Sequence, residues 1–405
     1  MIQISNKYNC CGCEACEQVC PTHCITMVAD AEGFLYPKVD VEKCINCHKC
    51  ERICPELLSY QNRAPLQSLA SYNNEDKIRI QATSGGVFGA LAKNILDKGG
   101  VVFGARFTDD YIVIHDSDDK SYIEFTGSKY VQSSINNSYK KVKQFLKEGR
   151  NVLFSGTPCQ VRGLLNIVGD NPKLITVDFI CHGVPSPSVW SEYLKHISDD
   201  PTFTDENGKK CYIPKNSILT SINFRDKSIG WVFSQMAIKC KPSGINNSIT
   251  FYSPKKKNLY TKAFLNDITL RPSCYTCKFK SFVSGSDFTI GDFWGVKSLN
   301  LNFDTKKGVS CVFTNTQKAV DLINTLDITN IEVKFEDILS QNPSILYPTK
   351  EPANRSRFFS AFEKDGSIIP LLKKYSKIPF KAVVRWQIIR LLQMSGLLKF
   401  IKRIR

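Results

Sequence analysis

The chain has 405 residues, 42% of them apolar and 23% charged, an ordinary globular composition with enough length for one large core or two medium ones. The net charge of +16 is unevenly placed: Gly366 to Arg405 carries ten Lys or Arg and no acid, leaving only +6 on the other 365 residues, which argues against a nucleic-acid partner. MIQISNKYNC lacks the apolar stretch of a secretory signal, no window offers the roughly 18 to 20 apolar residues of a membrane span, and the cysteines have metal-ligand spacing, so a reducing, cytoplasmic setting is expected.

Residues 1 to about 60 hold ten of the 17 cysteines in a unit too short for an apolar core, so bound metal is expected to supply much of its folding energy. Cys10, Cys13, Cys16 and Cys20, followed by Pro21, read CxxCxxCxxxCP, and Cys44, Cys47, Cys50 and Cys54, followed by Pro55, repeat the spacing. Three closely spaced thiolates let one loop wrap a cubane, while the fourth, turned by its proline, reaches the other cluster. This assigns Cys10, Cys13, Cys16 and Cys54 to one 4Fe-4S cluster and Cys44, Cys47, Cys50 and Cys20 to a second. The unit resembles bacterial two-cluster ferredoxins, an α+β ferredoxin-like iron-sulfur domain. A zinc knuckle, with four ligands per site, has no use for the crossed doubling. Cys11 and Cys24 fall outside the pattern and read as small buried residues.

Tyr60 to Gln67 is polar and reads as a linker; from Ser68 strands and helices alternate. LASYN predicts a strand, SGG opens a helix with Phe88, Leu91, Ala92, Ile95 and Leu96 on one face, and VVFGARF predicts the next strand. Lys140 to Lys147 is amphipathic and leads through Gly149 into the strand NVLFS, a short helix after Cys159, and the strand LITVDFI. Links this short indicate a βαβ unit and an α/β domain with a partly parallel sheet. Residues 210 to 300 are richer in strand signals and loops, and 316 to 365 are mixed. Ser84, Gly85 and Gly86 stand at a helix N-terminus, which suits a phosphate or a simple cap; GxGxxG is absent.

Cys159, in a loop after one strand, and Cys181, directly after the next, fall on one sheet edge, where α/β proteins build their sites. Cys274 and Cys277 in RPSCYTCKFK add two more thiolates. The four are expected to hold a third cluster; buried thiols for the first pair and a structural zinc for the second are the alternatives. Cys211, Cys240 and Cys311 read as core or loop residues.

SGGVFGALA, GSKYVQS, VLFSGTPCQVRGL, DFICHGVPSP, FRDKSIGW, AFLNDITLRPSCYTCKFK and SDFTIGDFWG, in this order, resemble the motif series of the coenzyme F420 hydrogenase/dehydrogenase beta-subunit family, from about Ser68 to about Phe359. The resemblance implies an iron-sulfur flavoprotein oxidoreductase that holds FAD and moves electrons between a ferredoxin or deazaflavin (coenzyme F420) donor and a small-molecule or lipid-linked substrate. A subunit that docks on a partner enzyme, with no substrate pocket of its own, is the alternative. The resemblance raises Ser84, Gly85 and Gly86 to a flavin-phosphate site, adds Thr157 and Gln160, and offers Lys129, Arg225 and Lys227 as cations for the pyrophosphate, the flavin ring or an anionic substrate. His182 would donate a proton near the flavin or hydrogen-bond a cluster sulfur. Asp292 and Trp294 suit a site-facing carboxylate and a packing indole, or core and turn duty. His182, Lys129 and Asp292 are thus the catalytic candidates.

The expected domains are 1–60, 68–365 and a basic tail, 366–405. KAVVRWQIIRLLQMSGLLKFIKRIR in that tail is imperfectly amphipathic, suited to an anionic membrane interface at the inner membrane face or to docking on the protein's own core.

Overall fold

In the N-terminal unit, β1 (Ile25–Ala29) pairs antiparallel with β2 (Leu35–Val39), flanked by two one-turn helices, Ala15–Gln18 and Lys49–Arg52. Each helix is entered through a left-handed non-glycine residue at the same place in its cysteine repeat, Glu14 (φ 58°) and His48 (φ 57°). The two repeats of the sequence are therefore two copies of one local fold. The structure is a computed structural model and describes residues 1–377.

The strands that follow are β3 (Gln67–Asn73), β4 (Val101–Phe107), β5 (Val113–Asp118), β6 (Val152–Ser155), β7 (Leu174–Phe179), β8 (Ile218–Asp226), β9 (Gln235–Lys241), β10 (Ile249–Pro254), β11 (Phe288–Asp292), β12 (Ser310–Thr314) and β13 (Ile328–Glu332). Eight of them make one mixed sheet in the order β13-β3-β12-β11-β7-β6-β4-β5, and β8 to β10 make a separate antiparallel sheet. β4, β6, β7 and β11 are parallel neighbours, and β3 runs the same way across the reversed β12. The C-terminal ends of β3, β11, β7, β6 and β4 thus share one edge, where crossover connections leave room for a site.

The large sheet is covered on both faces, which is why its central strands are apolar without alternation. Val102, Leu153 and Val177 pack under the helix Val87–Asp97, while Val101, Phe103, Val152 and Phe154 face the helices Ser138–Lys147 and Pro158–Val168. Cys11, Cys13 and Ala15 join the second of these cores, so the iron-sulfur unit lies against that face. A third core, around Trp190, Tyr193, Tyr260 and Phe224, sits beneath β8 to β10 and also takes in Phe34 from the N-terminal unit.

The helix Ile368–Tyr375 lies within the stretch expected as the basic tail. Its IIPLL run places Ile368 (1% exposed) and Leu372 (0%) in the third core, because apolar side chains there outweigh the two lysines that follow. The amphipathic segment from Lys381 onward lies outside the described residues. Among the described residues no helix is long and apolar enough to cross a membrane.

Candidate functional site

Cys10, Cys13, Cys16 and Cys54 line one cavity, the crossed set expected from the spacing. Cys20, Cys44 and Cys50 gather in the small core beside it, with Cys44 and Cys47 half-buried and Cys20 and Cys50 buried. Cys24 packs against this second set, its Sγ 3.4 Å from that of Cys20. Among the described residues no three His, Cys, Asp or Glu side chains converge closely enough for a single ion. A cubane distributes its thiolates over four irons, so its cysteines stand farther apart than the ligands of one zinc.

Cys159, Cys181, Cys274 and Cys277, from three separate segments, line a second cavity. Cys159 was expected in a loop; it occupies the first turn of Pro158–Val168, because Pro158 starts the helix and Thr157 and Gln160 close a reciprocal capping box around it. The Thr157 hydroxyl lies 3.1 Å from the Cys159 Sγ. Cys181 follows β7, and its carbonyl accepts from Lys280 Nζ at 2.6 Å. Cys274 stands on the tight turn Pro272–Thr276 and Cys277 directly follows it; the Val184 N–H donates to the Cys274 Sγ at 3.4 Å. Gly183 makes that approach feasible: its φ is +143°, and a Cβ there would stand 2.8 Å from the Leu270 side chain and 3.3 Å from the Cys274 Cβ.

Burial pushes the Cys181 thiol up to about 12 and the Cys277 thiol to about 11, despite the nearby Lys280 cation. Such raised values keep the groups as thiols at neutral pH unless a metal ionises them, and four sulfur donors on one cavity are a soft set suited to an iron-sulfur cluster. Two residues outside the expected set line both cavities, Cys11 and Glu56. The Cys11 thiol interacts with those of Cys13 and Cys159, so the two cavities share a wall. Nothing in the local spacing signals this, since the contact spans 148 residues of chain.

The expected flavin residues divide between two places. Thr157 and His182 line the cysteine cavity, and Gln160 closes the cap beside Thr157; His182 Nε2 meets Asp267 Oδ1 at 2.5 Å. The others form a strip along the same sheet edge. Ser84 Oγ donates to the Val309 carbonyl (2.8 Å), the Gly85 N–H to Ser310 Oγ (2.9 Å), and Gly86 caps the helix Val87–Asp97. Lys227 Nζ donates to the carbonyls of Arg79, Ser84 and Lys307 at 2.6 to 3.0 Å. Thr83 and Ser128 share a hydroxyl contact at 3.0 Å, which ties the Ser84 turn to Lys129, whose Nζ donates to the carbonyls of Glu124 and Thr126. Burial pulls both lysine amines down to about 7.

Asp292 ends β11 and pairs with Arg225 at 2.9 Å while accepting from Trp231 Nε1 at 2.8 Å. Trp231 stacks on Trp294, centroids 5.0 Å apart at 3°. The Arg225 Nη2 is buried without a hydrogen-bond partner. A buried donor with no acceptor is costly, and a bound acceptor would relieve it.

Residues 149–338 match the family model for the C terminus of the coenzyme F420 hydrogenase/dehydrogenase beta subunit, and residues 9–57 match the 4Fe-4S dicluster domain. A chain from a structure of the F420-reducing NiFe hydrogenase complex of Methanosarcina barkeri, derivatised with xenon, aligns over 71% of this chain and 93% of its own length, at 14% identity and a TM-score of 0.43. No curated protein matches the chain. With a dicluster domain in front of the C-terminal domain of that beta subunit, the chain is an iron-sulfur electron-transfer protein related to the F420 hydrogenase beta subunit.

Proposed function

We propose that this chain is an iron-sulfur flavoprotein oxidoreductase that takes electrons from a ferredoxin- or deazaflavin-type donor at residues 1–60 and delivers them to a substrate at residues 68–365. The observation that carries the reading is the shared wall: the cavity of Cys159, Cys181, Cys274 and Cys277 meets that of Cys10, Cys13, Cys16 and Cys54 at Cys11 and Glu56. Clusters and FAD, when bound, supply one-electron relay and the step from one electron to two. The chain's own residues exclude water, position the carriers and manage protons.

His182, aligned by Asp267, presents its imidazole at the rim of the cysteine cavity. Lys129, with its amine near neutral pKa, exchanges a proton at working pH. Asp292 fixes Arg225, whose free Nη2 suits an acceptor on the flavin or on an anionic substrate. Ser84, Gly85, Gly86 and Lys227 would shape the floor of the flavin-phosphate site. Thr157 and Gln160 would act through the turn that presents Cys159.

The second reading, an electron-transfer subunit docked on a partner enzyme, is favoured by the half-exposed Cys44 and Cys47 next to exposed Val41 (62%) and Ile45 (64%). The basic segment beyond the described residues would bring either form to an anionic membrane. Iron and flavin analysis of the full chain separates the readings. Three cubanes require about twelve irons per chain, and Cys181→Ser or Cys274→Ser should remove about four. Acid-released FAD that a small donor reduces without a partner supports the enzyme. About eight irons, insensitive to Cys181→Ser, with no flavin, would refute it.

A further inference from the structure

Arg271 is fully buried (0% exposed) at the junction of the two units. Its Nε donates to the Cys10 carbonyl at 2.7 Å, one terminal nitrogen to the Leu35 carbonyl at 2.9 Å and toward the Cys10 Sγ at 3.5 Å, and the other to Gln132 Oε1 at 3.1 Å. The guanidinium also lies over the Tyr36 ring, 4.3 Å from its centroid. Gly12 closes the cysteine loop onto it: at φ +68°, a Cβ there would stand 2.6 Å from the guanidinium nitrogen.

All of these oxygen partners are neutral, and none of the ion pairs among the described residues includes Arg271. A guanidinium stays protonated even when buried, and a buried charge without a counter-charge is strongly disfavoured. The anion in contact with it is the thiolate that Cys10 becomes as a cluster ligand, 3.5 Å from a guanidinium nitrogen, and the Glu56 carboxylate feels the same cation from farther off. The second cysteine repeat has no such arrangement: Arg52 donates to the Cys47 carbonyl at 2.9 Å, but from an exposed position where water screens it.

Resting on the cluster reading above, we propose that Arg271 is the positioning residue that raises the reduction potential of the site formed by Cys10, Cys13, Cys16 and Cys54 above that of the outer site formed by Cys20, Cys44, Cys47 and Cys50. Reduction adds one negative charge to the inner site, and a fixed cation with an N–H aimed at a ligand sulfur stabilises that charge. One electron leaves the outer site, which is oxidised, and enters the inner one, which is reduced; no bond is made or broken. The direction is toward the main domain, because the Arg271 carbonyl also accepts the Cys274 N–H at 3.0 Å and Cys11 joins Cys13 to Cys159. One side chain thus holds the inner loop against the turn that carries the next set of cysteines.

The test is a redox titration of the full, iron-replete chain followed by low-temperature electron paramagnetic resonance. In Arg271→Gln one cluster signal should shift to a more negative midpoint while the others stay, and Arg271→Lys should restore most of the shift. If Arg271→Gln sheds iron, Gln132→Glu sets a carboxylate against the same guanidinium and should move the same signal in the same direction. Unmoved midpoints in iron-replete variants, or an equal shift of every signal, overturn the proposal alone. A wild-type chain without cluster signals overturns the cluster reading and the proposal with it.

Discussion

His115 is 1% exposed between Phe103 and Phe154, with Nε2 donating to the Ser155 carbonyl at 2.7 Å and Nδ1 facing Ser138 Oγ at 3.1 Å. Burial pulls its imidazole down to about 4, so the folded chain keeps it neutral where the unfolded chain, near pKa 6.5, takes a proton. The unfolded state therefore binds more protons below about pH 6.5, and stability falls by about 1.4 kcal/mol per pH unit from there to about pH 4. Glu14 and Asp178, buried carboxyls pushed up to about 7 and about 6, work in the opposite sense, so only a comparison between variants is diagnostic. Between about pH 7 and about pH 5 the Tm of His115→Phe should rise relative to that of wild type as the pH falls, and a constant difference would contradict the buried neutral imidazole. At this scale the grouping of Cys10, Cys13 and Cys16 with Cys54 around one cavity was legible, because it is written in local spacing. Arg271 was not, because its partners Cys10 and Leu35 lie 261 and 236 residues away, and no local pattern announces a cation whose counter-charge is a thiolate.

Among the elements, the strands and helices around β4, β6 and β7 were readable from apolar runs bounded by glycine, and the parallel pairing followed from the short links. The helix Pro158–Val168 starts before Cys159 rather than after it. TPCQ carries a capping box and an N1 proline, signals that place Cys159 inside a first turn with its thiol aimed by the helix. That geometry separates two roles for Thr157. As a cap, Thr157→Ala should cost about 1 kcal/mol in denaturant unfolding, with Thr157→Ser near wild type and flavin content unchanged. Loss of FAD at unchanged stability would instead make Thr157 a cofactor ligand. The Ser84 turn shows the limit of reading a helix N-terminus from sequence: the Gly85 N–H is already bound to Ser310 and the Ser84 carbonyl to Lys227, partners supplied by β12 and by the loop after β8. Only the folded sheet edge reveals how much of the turn remains for a ligand.

For the whole molecule, the polar stretch from Tyr60 to Gln67 reads as a linker, and direct contacts hold together the units on either side of it. Arg355 clamps Glu32 through both carboxylate oxygens at 2.5 and 3.0 Å, both residues being largely withdrawn from water. Glu14 accepts from the Ile135 N–H and Ser134, Gln18 from the Tyr139 N–H, and Lys278 donates to the Glu56 carbonyl. Phe34 is 0% exposed in a core built by residues after 100, where truncation of a phenylalanine typically costs about 3 to 5 kcal/mol. A relay needs this rigidity, since the two cysteine cavities share a wall only while the units stay fixed. The exposed residues Gln61 to Ala64 allow a direct trial. A specific protease site inserted there should be cut without consequence for assembly: the two fragments should co-elute in size exclusion under native conditions and separate only in denaturant. Adding Arg355→Ala and Phe34→Ala to the cut chain should release the N-terminal fragment, because the ion pair and the buried ring would be lost together. Native separation of the singly cut wild-type chain would mean that the interface is too weak to hold the inner cysteine site against Cys159 and Cys274.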